Sequence, residues 1–160
     1  MANKMYLCID LKSFYASVEC AERGLDPFTT NLVVADPARG GGAITLAATP
    51  AIKKLGVQSR GRIYEIPKHI HYIIAPPRMS LYMQYSAKIY SIFLKWIAKE
   101  DIHVYSIDES FLDVTPYLAL YKQTPKQIAR AILKDIMNET GITATVGIGT
   151  NLFLTKVALD

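Results

Sequence analysis

Three acidic residues stand where strand-forming segments end or turn. Residues 104–115 read VYSIDESFLDVT, so Asp108 and Glu109 are adjacent acids between apolar flanks, and Asp10 closes the apolar run KMYLCID. Each acid taken alone is most simply a solvated turn or cap residue. Ionised carboxylates repel each other and resist burial, so a convergence of the three would need a chemical reason.

Convergent carboxylates without a neighbouring His or Cys are hard oxygen ligands, which suit Mg²⁺ or Mn²⁺ rather than zinc. Two such ions, roughly 3.5–4 Å apart, can clamp the attacking and leaving oxygens of a phosphoryl transfer. The metal charge would also neutralise the repulsion between the acids. We predict a structural role for the three histidines, on probable strands away from the acids: His69, His71 and His103.

The order of predicted elements indicates how the acids could meet. When residues 30–76 are treated as an insertion, the order is strand, helix, strand, strand, helix, strand, which is that of a ferredoxin-like βαββαβ sheet. In that fold the third strand lies antiparallel beside the first, so the turn holding Asp108 and Glu109 falls beside Asp10. Neighbouring strand residues point to opposite faces, so both acids reach one site only if the backbone bends at Ile107–Glu109.

Local signals support these elements. A capping box at Thr124 and Gln127 begins the clearest helix, and Gly141 follows its end. A short helix is predicted after Thr49, a long amphipathic helix runs from Met79 to about Lys99, and ARGGG is predicted to be a flexible turn.

Composition narrows the class of protein. The chain has 160 residues, of which 51% are hydrophobic and 20% charged, which is typical of one globular domain, here with a small inserted subdomain. A net charge of +4 is compatible with a polyanionic partner. The two cysteines are predicted to be free thiols in a reducing compartment. Asp10 and Lys12 interrupt the apolar run near the N-terminus, so it is predicted to be neither a signal peptide nor a membrane span. We therefore expect a cytoplasmic location and no membrane partner. The last helix lacks a terminating signal, so we expect the chain to continue.

Three segments resemble motifs of the Y-family translesion DNA polymerases: IDLKSFYASVE (9–19), SIDESFLDV (106–114) and TVGIGTNLFLTKVALD (145–160). They occur in the family's order, and their details look most like the UmuC-like bacterial branch. The resemblance implies an α+β palm of residues 1–29 and 77–160, with residues 30–76 as an inserted α/β fingers subdomain. The thumb and little-finger domains would be absent.

The resemblance also implies a metal site. Asp10 and Asp108 would hold two Mg²⁺ ions, for which Mn²⁺ could substitute. Glu109 would bind the catalytic ion near the primer 3′-hydroxyl, and the backbone carbonyl of Leu11 would be an additional ligand.

Nucleotide contacts are implied near the start of the first helix. Tyr15 matches the steric gate, a ring that excludes a ribose 2′-hydroxyl by its volume, and its neighbours Phe14 and Ser13 are expected to contact the nucleotide. Lys53 would grip the triphosphate, with Lys54 a weaker candidate. Relatives often carry a Tyr at the position of Pro50 and a hydroxyl residue at that of Ala47, a loss for which Thr49 could partly compensate.

The implied reaction is DNA-templated transfer of nucleotides from dNTP to a primer, in error-prone translesion synthesis, DNA repair and the SOS response. Primer–template DNA is the expected partner, and sliding clamp and accessory subunits would bind through the absent regions. We expect residues 1–160 alone to be nearly inactive. Two alternatives stay open: another two-metal palm enzyme, such as a nucleotide cyclase, and a non-catalytic nucleic-acid-binding module.

Overall fold

The structure, a computed structural model, describes residues 4–159, so the ends of the predicted palm, residues 1–3 and 160, lie outside the described residues. The chain divides into two compact units. The first combines the residues up to Lys12 with those from Met83 onwards, and the second is Ser13–Tyr82. The palm and fingers boundaries at 29/30 and 76/77 stay a prediction.

Seven strands and six α-helices are present among the described residues. The strands are β1 (Tyr6–Leu11), β2 (Leu32–Val34), β3 (Ala47–Ala48), β4 (Ile73–Ala75), β5 (Ile102–Ser106), β6 (Glu109–Asp113) and β7 (Ala144–Gly149). The helices are α1 (Phe14–Arg23), α2 (Pro50–Lys53), α3 (Met79–Trp96), α4 (Thr115–Tyr121), α5 (Pro125–Thr140) and α6 (Leu152–Leu159).

The first unit is built on a four-stranded sheet in the order β5-β6-β1-β7, in which all neighbours are antiparallel. This is the strand order of the ferredoxin-like βαββαβ fold, so the predicted α+β class is confirmed. The central strand β1 is apolar on both faces, and Leu7, Cys8 and Ile9 are fully buried. Its interior position explains the continuous apolar run in the sequence.

Helix α5 has the ends that its sequence predicts. The Thr124 hydroxyl accepts from the Gln127 amide (3.2 Å), the Gln127 side chain accepts from the Thr124 amide (2.9 Å), and Gly141 ends the helix at φ 74°. One face of the helix, formed by Ile128, Ile132 and Ile136, is fully buried. The i, i+4 spacing therefore marks the side that covers the core.

The second unit has a smaller sheet in the order β3-β2-β4, in which β2 is antiparallel to β3 and parallel to β4. Helix α1 packs against β2 and β3. The core cluster of this unit contains Val33, Ala48, Ile52, Val57, Ile66 and Ile70.

Some elements differ from the predictions. The ARGGG segment lies within two short 3₁₀ turns (Pro37–Gly42) that are joined at a kink, where Gly40 has φ 62°. Asp36 caps the first turn, and the Arg62 guanidinium donates to the Gly42 carbonyl. Helix α3 ends at Trp96, before the predicted Lys99, and α4 was not predicted. Two of the three histidines, His69 and His71, lie outside the strands.

Each helix of residues 4–159 is too short or too polar to cross a bilayer.

Candidate active site

The register of the first sheet brings the predicted acids to one edge. Asp10 on β1 lies opposite Glu109 on β6, and the Leu11 amide donates to the Asp108 carbonyl (2.9 Å). Strand β5 ends at Ser106 and β6 begins at Glu109. The backbone therefore bends at the point where the sequence required a turn, with Asp108 inside it.

Two serine hydroxyls fix this turn. Ser106 Oγ donates to Asp108 Oδ1 (2.9 Å), and Ser86 Oγ, from α3, donates to the Ile107 carbonyl (2.9 Å). A register shift between Val104 and Ser106 marks an irregularity just before the turn. The extra residue is Tyr105, so that Ser106 rather than Tyr105 pairs with Glu109 at the end of the strand.

The ionisation of Asp10 depends on its acidic neighbours. Burial, together with repulsion from Asp108 and Glu109, raises the pKa of Asp10 to about 6. The positive charges of Lys156 and Lys12 oppose it. A cation placed among the acids would favour the ionised form of Asp10.

Lys156 is a residue of this site that the sequence reasoning missed. It lies on α6, and its ammonium forms an ion pair with Glu109 Oε1. Helix α6 reaches the sheet because β7 carries glycines beneath it: a Cβ on Gly149 would lie 2.6 Å from the Thr155 amide nitrogen. Lys156 lies within the third motif, TVGIGTNLFLTKVALD, but nothing in that segment marks it as the partner of Glu109.

The donor set fits a hard divalent cation, but the side chains do not enclose one in this arrangement. Among residues 4–159, no group of three or more His, Cys, Asp or Glu side chains is close enough to hold a metal ion. Glu109 turns instead to Lys156. The Lys156 ammonium therefore occupies one oxygen of Glu109, Oε1.

In the second unit, the first of the predicted nucleotide contacts is a strained residue. Ser13 precedes α1 in the left-handed region (φ 47°, ψ 53°), and its side chain does not cap the helix. Its Oγ is buried and has no hydrogen-bond partner among the described atoms. Strain and an unsatisfied hydroxyl both carry an energetic cost, and strained residues cluster at functional sites.

The next two residues have different surroundings. Phe14 is buried, at 3% exposure, whereas Tyr15 is half-buried and keeps part of its ring exposed. The Tyr15 ring stacks on that of Tyr82, with centroids 4.6 Å apart. Tyr15 is therefore the more accessible of these two predicted contacts.

The fingers candidates are less favourable. Thr49 is fully buried, and its hydroxyl donates to the Thr30 carbonyl (2.7 Å) and accepts from the Leu32 and Ile52 amides. A hydroxyl committed in this way is unavailable to a nucleotide, so we leave Thr49 out of the proposed site. Lys53 is half-buried at the end of α2, and Lys54 is exposed just after it. Positive charge there also suits the helix C-terminus.

Comparison with known proteins assigns the chain to a family. The sequence model of the IMS family (impB/mucB/samB) matches residues 9–160. The chain belongs to this family. Among IMS relatives, the putative UV-damage repair protein UvrX of Bacillus subtilis strain 168 is 41% identical over 159 residues, 99% of this chain and 37% of UvrX. DNA polymerase IV 2 of the same strain is 38% identical, and the alignment covers 100% of this chain and 38% of that polymerase.

Solved structures agree with this assignment. A Y-family DNA polymerase chimera of Dbh and Dpo4 matches with a TM-score of 0.81 at 28% identity, over 96% of this chain and 44% of the chimera. An insertion ternary complex of Dbh DNA polymerase matches with a TM-score of 0.80 at 27% identity and the same coverage. The IMS chain therefore has the fold of part of a Y-family polymerase, and it spans less than half the length of each of the four proteins named here.

Proposed function

We propose that this chain carries the catalytic centre of a DNA-directed DNA polymerase that acts in error-prone translesion synthesis and DNA repair. The observation that carries the proposal is the opposition of Asp10 and Glu109 across β1 and β6, with Asp108 in the adjoining turn. The relatives named as polymerases and as a UV-damage repair protein support it. They are much longer than this chain, so the activity is proposed for the full polypeptide that contains it.

The acids would work as a set. Asp10, Asp108, Glu109 and the Leu11 carbonyl would hold two Mg²⁺ ions, or Mn²⁺, whose charge stabilises a transferring phosphoryl group and its leaving oxygen. Ser106 keeps the Asp108 carboxylate in one orientation. Lys156 would hold Glu109 until a metal displaces it, which keeps this half-buried acid paired in the metal-free protein.

The residues around the start of α1 would receive the incoming dNTP. Backbone amides at a helix N-terminus attract phosphate oxygens, and the Ser13 hydroxyl has an unused hydrogen-bonding capacity. Tyr15 would exclude ribonucleotides by the volume of its ring, with Phe14 supporting it from the buried side. Lys53 would contribute positive charge to the triphosphate.

Primer–template DNA is the proposed partner, because a Dbh polymerase of the same fold is described in an insertion ternary complex. Neither a nucleotide cyclase nor a non-catalytic binding module gains support from the polymerase and repair names of the relatives. Binding to a sliding clamp or accessory subunits stays a prediction.

Primer extension by the full polypeptide separates these possibilities. Purified protein is incubated with a labelled primer–template and dNTPs, with Mg²⁺ or with excess chelator. We expect template-directed extension that depends on the metal. Cyclic nucleotide formed without DNA would instead favour the cyclase, and DNA binding without extension would favour the binding module.

A further inference from the structure

A buried carboxylate in the second unit has no part in the proposed metal site. The Glu19 side chain, on α1, is 0% exposed. It accepts from Arg78 Nε (3.1 Å) and Nη2, from Arg23 Nη1, and from the Tyr82 hydroxyl (2.6 Å). Burial alone would raise the pKa of Glu19, but these donors outweigh it and lower the pKa to about 2. Glu19 is therefore an ionised, fully satisfied anchor.

Tyr82 connects this anchor to the proposed steric gate. Its side chain is fully buried. Its hydroxyl donates to Glu19, while its ring lies against Tyr15 with centroids 4.6 Å apart and planes inclined by 15°. Tyr15 and Glu19 are four residues apart on α1, so they share one helix face. The Tyr82 side chain thus contacts both residues of this face: its hydroxyl is held by Glu19 and its ring packs on Tyr15.

This arrangement restricts the Tyr15 ring. A half-buried tyrosine on a helix can normally change rotamer, but the stacked Tyr82 ring closes one side of Tyr15 and cannot retreat while its hydroxyl is held. A gate works by volume only if the ring stays where the 2′-hydroxyl would go. Small displacements of positioning groups are known to be costly in active sites.

We propose that Tyr82 is a positioning residue for sugar selection, held by Glu19 and Arg78 so that it fixes the ring of Tyr15. The proposal rests on the proposed polymerase function and deepens it, because it adds a specificity determinant behind the gate. Tyr82 itself needs no contact with the nucleotide.

The test uses Tyr82→Phe in the full polypeptide, because phenylalanine keeps the ring volume and the stack but loses the hydrogen bond to Glu19. Tyr117→Phe is the matched control: Tyr117 is also a buried tyrosine whose hydroxyl donates to a carboxylate, Asp101 Oδ2 (2.7 Å), but it lies in the first unit. Tyr15→Ala is the positive control. For each variant, kcat and KM are measured with a dNTP and with the matching rNTP, together with the unfolding temperature.

We expect Tyr82→Phe to lower the preference for dNTP roughly tenfold, mainly through a lower KM for the rNTP, as a loosened steric pocket rejects the larger sugar less well. Catalysis with dNTP should stay close to that of the unchanged protein. Tyr117→Phe should alter only the unfolding temperature. A purely structural Tyr82 would behave like Tyr117.

Failures of the two proposals are distinguishable. If Tyr15→Ala loses sugar selection while Tyr82→Phe keeps it, the positioning role of Tyr82 is overturned and the gate stands. If Tyr15→Ala keeps sugar selection in an active polymerase, the gate and the positioning role fail together. If the unchanged protein does not extend primers, the proposed function fails and takes this inference with it. Should Tyr82→Phe unfold, Arg78→Lys, which removes the two-pronged contact with Glu19 but keeps the charge, gives the same comparison.

Discussion

At the scale of single residues, the acids were predictable and their positive partner was not. Asp10, Asp108 and Glu109 are conspicuous because acids are unusual beside apolar strands. Lys156 resembles any lysine on a surface helix, and it lies 47 positions from Glu109. A contact between distant residues follows from the packing of α6 on β7, which local sequence patterns do not describe.

Substitution of Lys156 tests the idea that its ammonium competes with the metal. Lys156→Gln removes a partly exposed ion pair with Glu109, an interaction of about 1 kcal/mol. We therefore expect Mg²⁺ to bind about fivefold more tightly, as measured by isothermal titration calorimetry without nucleotide. Lys134→Gln, at an exposed position of α5, is the control and should leave the affinity unchanged. Unchanged or weaker binding by Lys156→Gln would contradict the competition.

At the scale of elements, the predictions were right where local sequence signals are strong and less accurate for short or bent elements. The βαββαβ order and the bounds of α5 could be predicted because the spacing of apolar residues and the positions of the cap residues indicate the same elements. Helix α4 was missed because TPYLALY follows β6 at once and is only seven residues long. Three glycines in ARGGG predict a flexible turn, and the chain does kink there, at Gly40 (φ 62°), while its flexibility stays a prediction. Contacts also group α1 with the residues 13–82, which element order alone does not reveal.

The close approach of α6 to β7 gives a prediction at this scale. In Gly149→Ala the new methyl group would lie 2.6 Å from the Thr155 nitrogen and 2.9 Å from the Leu154 carbonyl carbon, so α6 must shift. We expect a loss of about 2 kcal/mol in the free energy of unfolding and weaker extension, because α6 carries Lys156. Gly41→Ala is the control, since its methyl group meets only ordinary contact, 3.7 Å from Tyr64 Cβ. Equal stability of the two variants in denaturant titrations would contradict the packing argument.

At the scale of the whole molecule, the sequence predicted the family and the fold class, and the matches to Y-family structures confirm them. The UmuC-like branch stays a prediction, because relatives named UvrX and DNA polymerase IV both match. The boundaries between the palm and the fingers also stay a prediction. Boundaries depend on contacts between distant residues, which a sequence pattern does not show.

Acid stability is expected to depend on the Glu19 cluster. The folded pKa of about 2 lies below the ordinary value of 4.5. The stabilisation is therefore complete above pH 4.5 and is lost as the pH falls towards 2. Glu19 faces the guanidinium groups of Arg23 and Arg78 and the hydroxyl of Tyr82. We expect a contribution of up to about 3 kcal/mol.

Thermal unfolding followed by circular dichroism, from about pH 6 to about pH 3, measures this dependence. Glu19→Gln should be less stable at the higher pH and should vary less across the range. A variant that keeps the full pH dependence of the unchanged protein would show that another carboxylate is responsible.

The chain by itself should be a poor enzyme. Its net charge of +4 supplies only weak electrostatic attraction for DNA, since each contact with a phosphate adds only a small increment to the binding affinity. We expect residues 1–160 to bind a primer–template weakly and to extend it hardly at all. Processive synthesis by this segment, measured beside the full polypeptide, would contradict that expectation.

The central claim is that Asp10, Asp108 and Glu109 form one catalytic set, and Asp108→Asn tests it most directly. The change keeps the shape of the side chain and its partner Ser106 but removes the negative charge. Glu100→Gln, an equivalent change at an exposed position, is the control. In Mg²⁺-dependent primer extension by the full polypeptide, Asp108→Asn should reduce the rate at least about a hundredfold, while Glu100→Gln should not. Extension by Asp108→Asn at the rate of the unchanged protein would contradict the account.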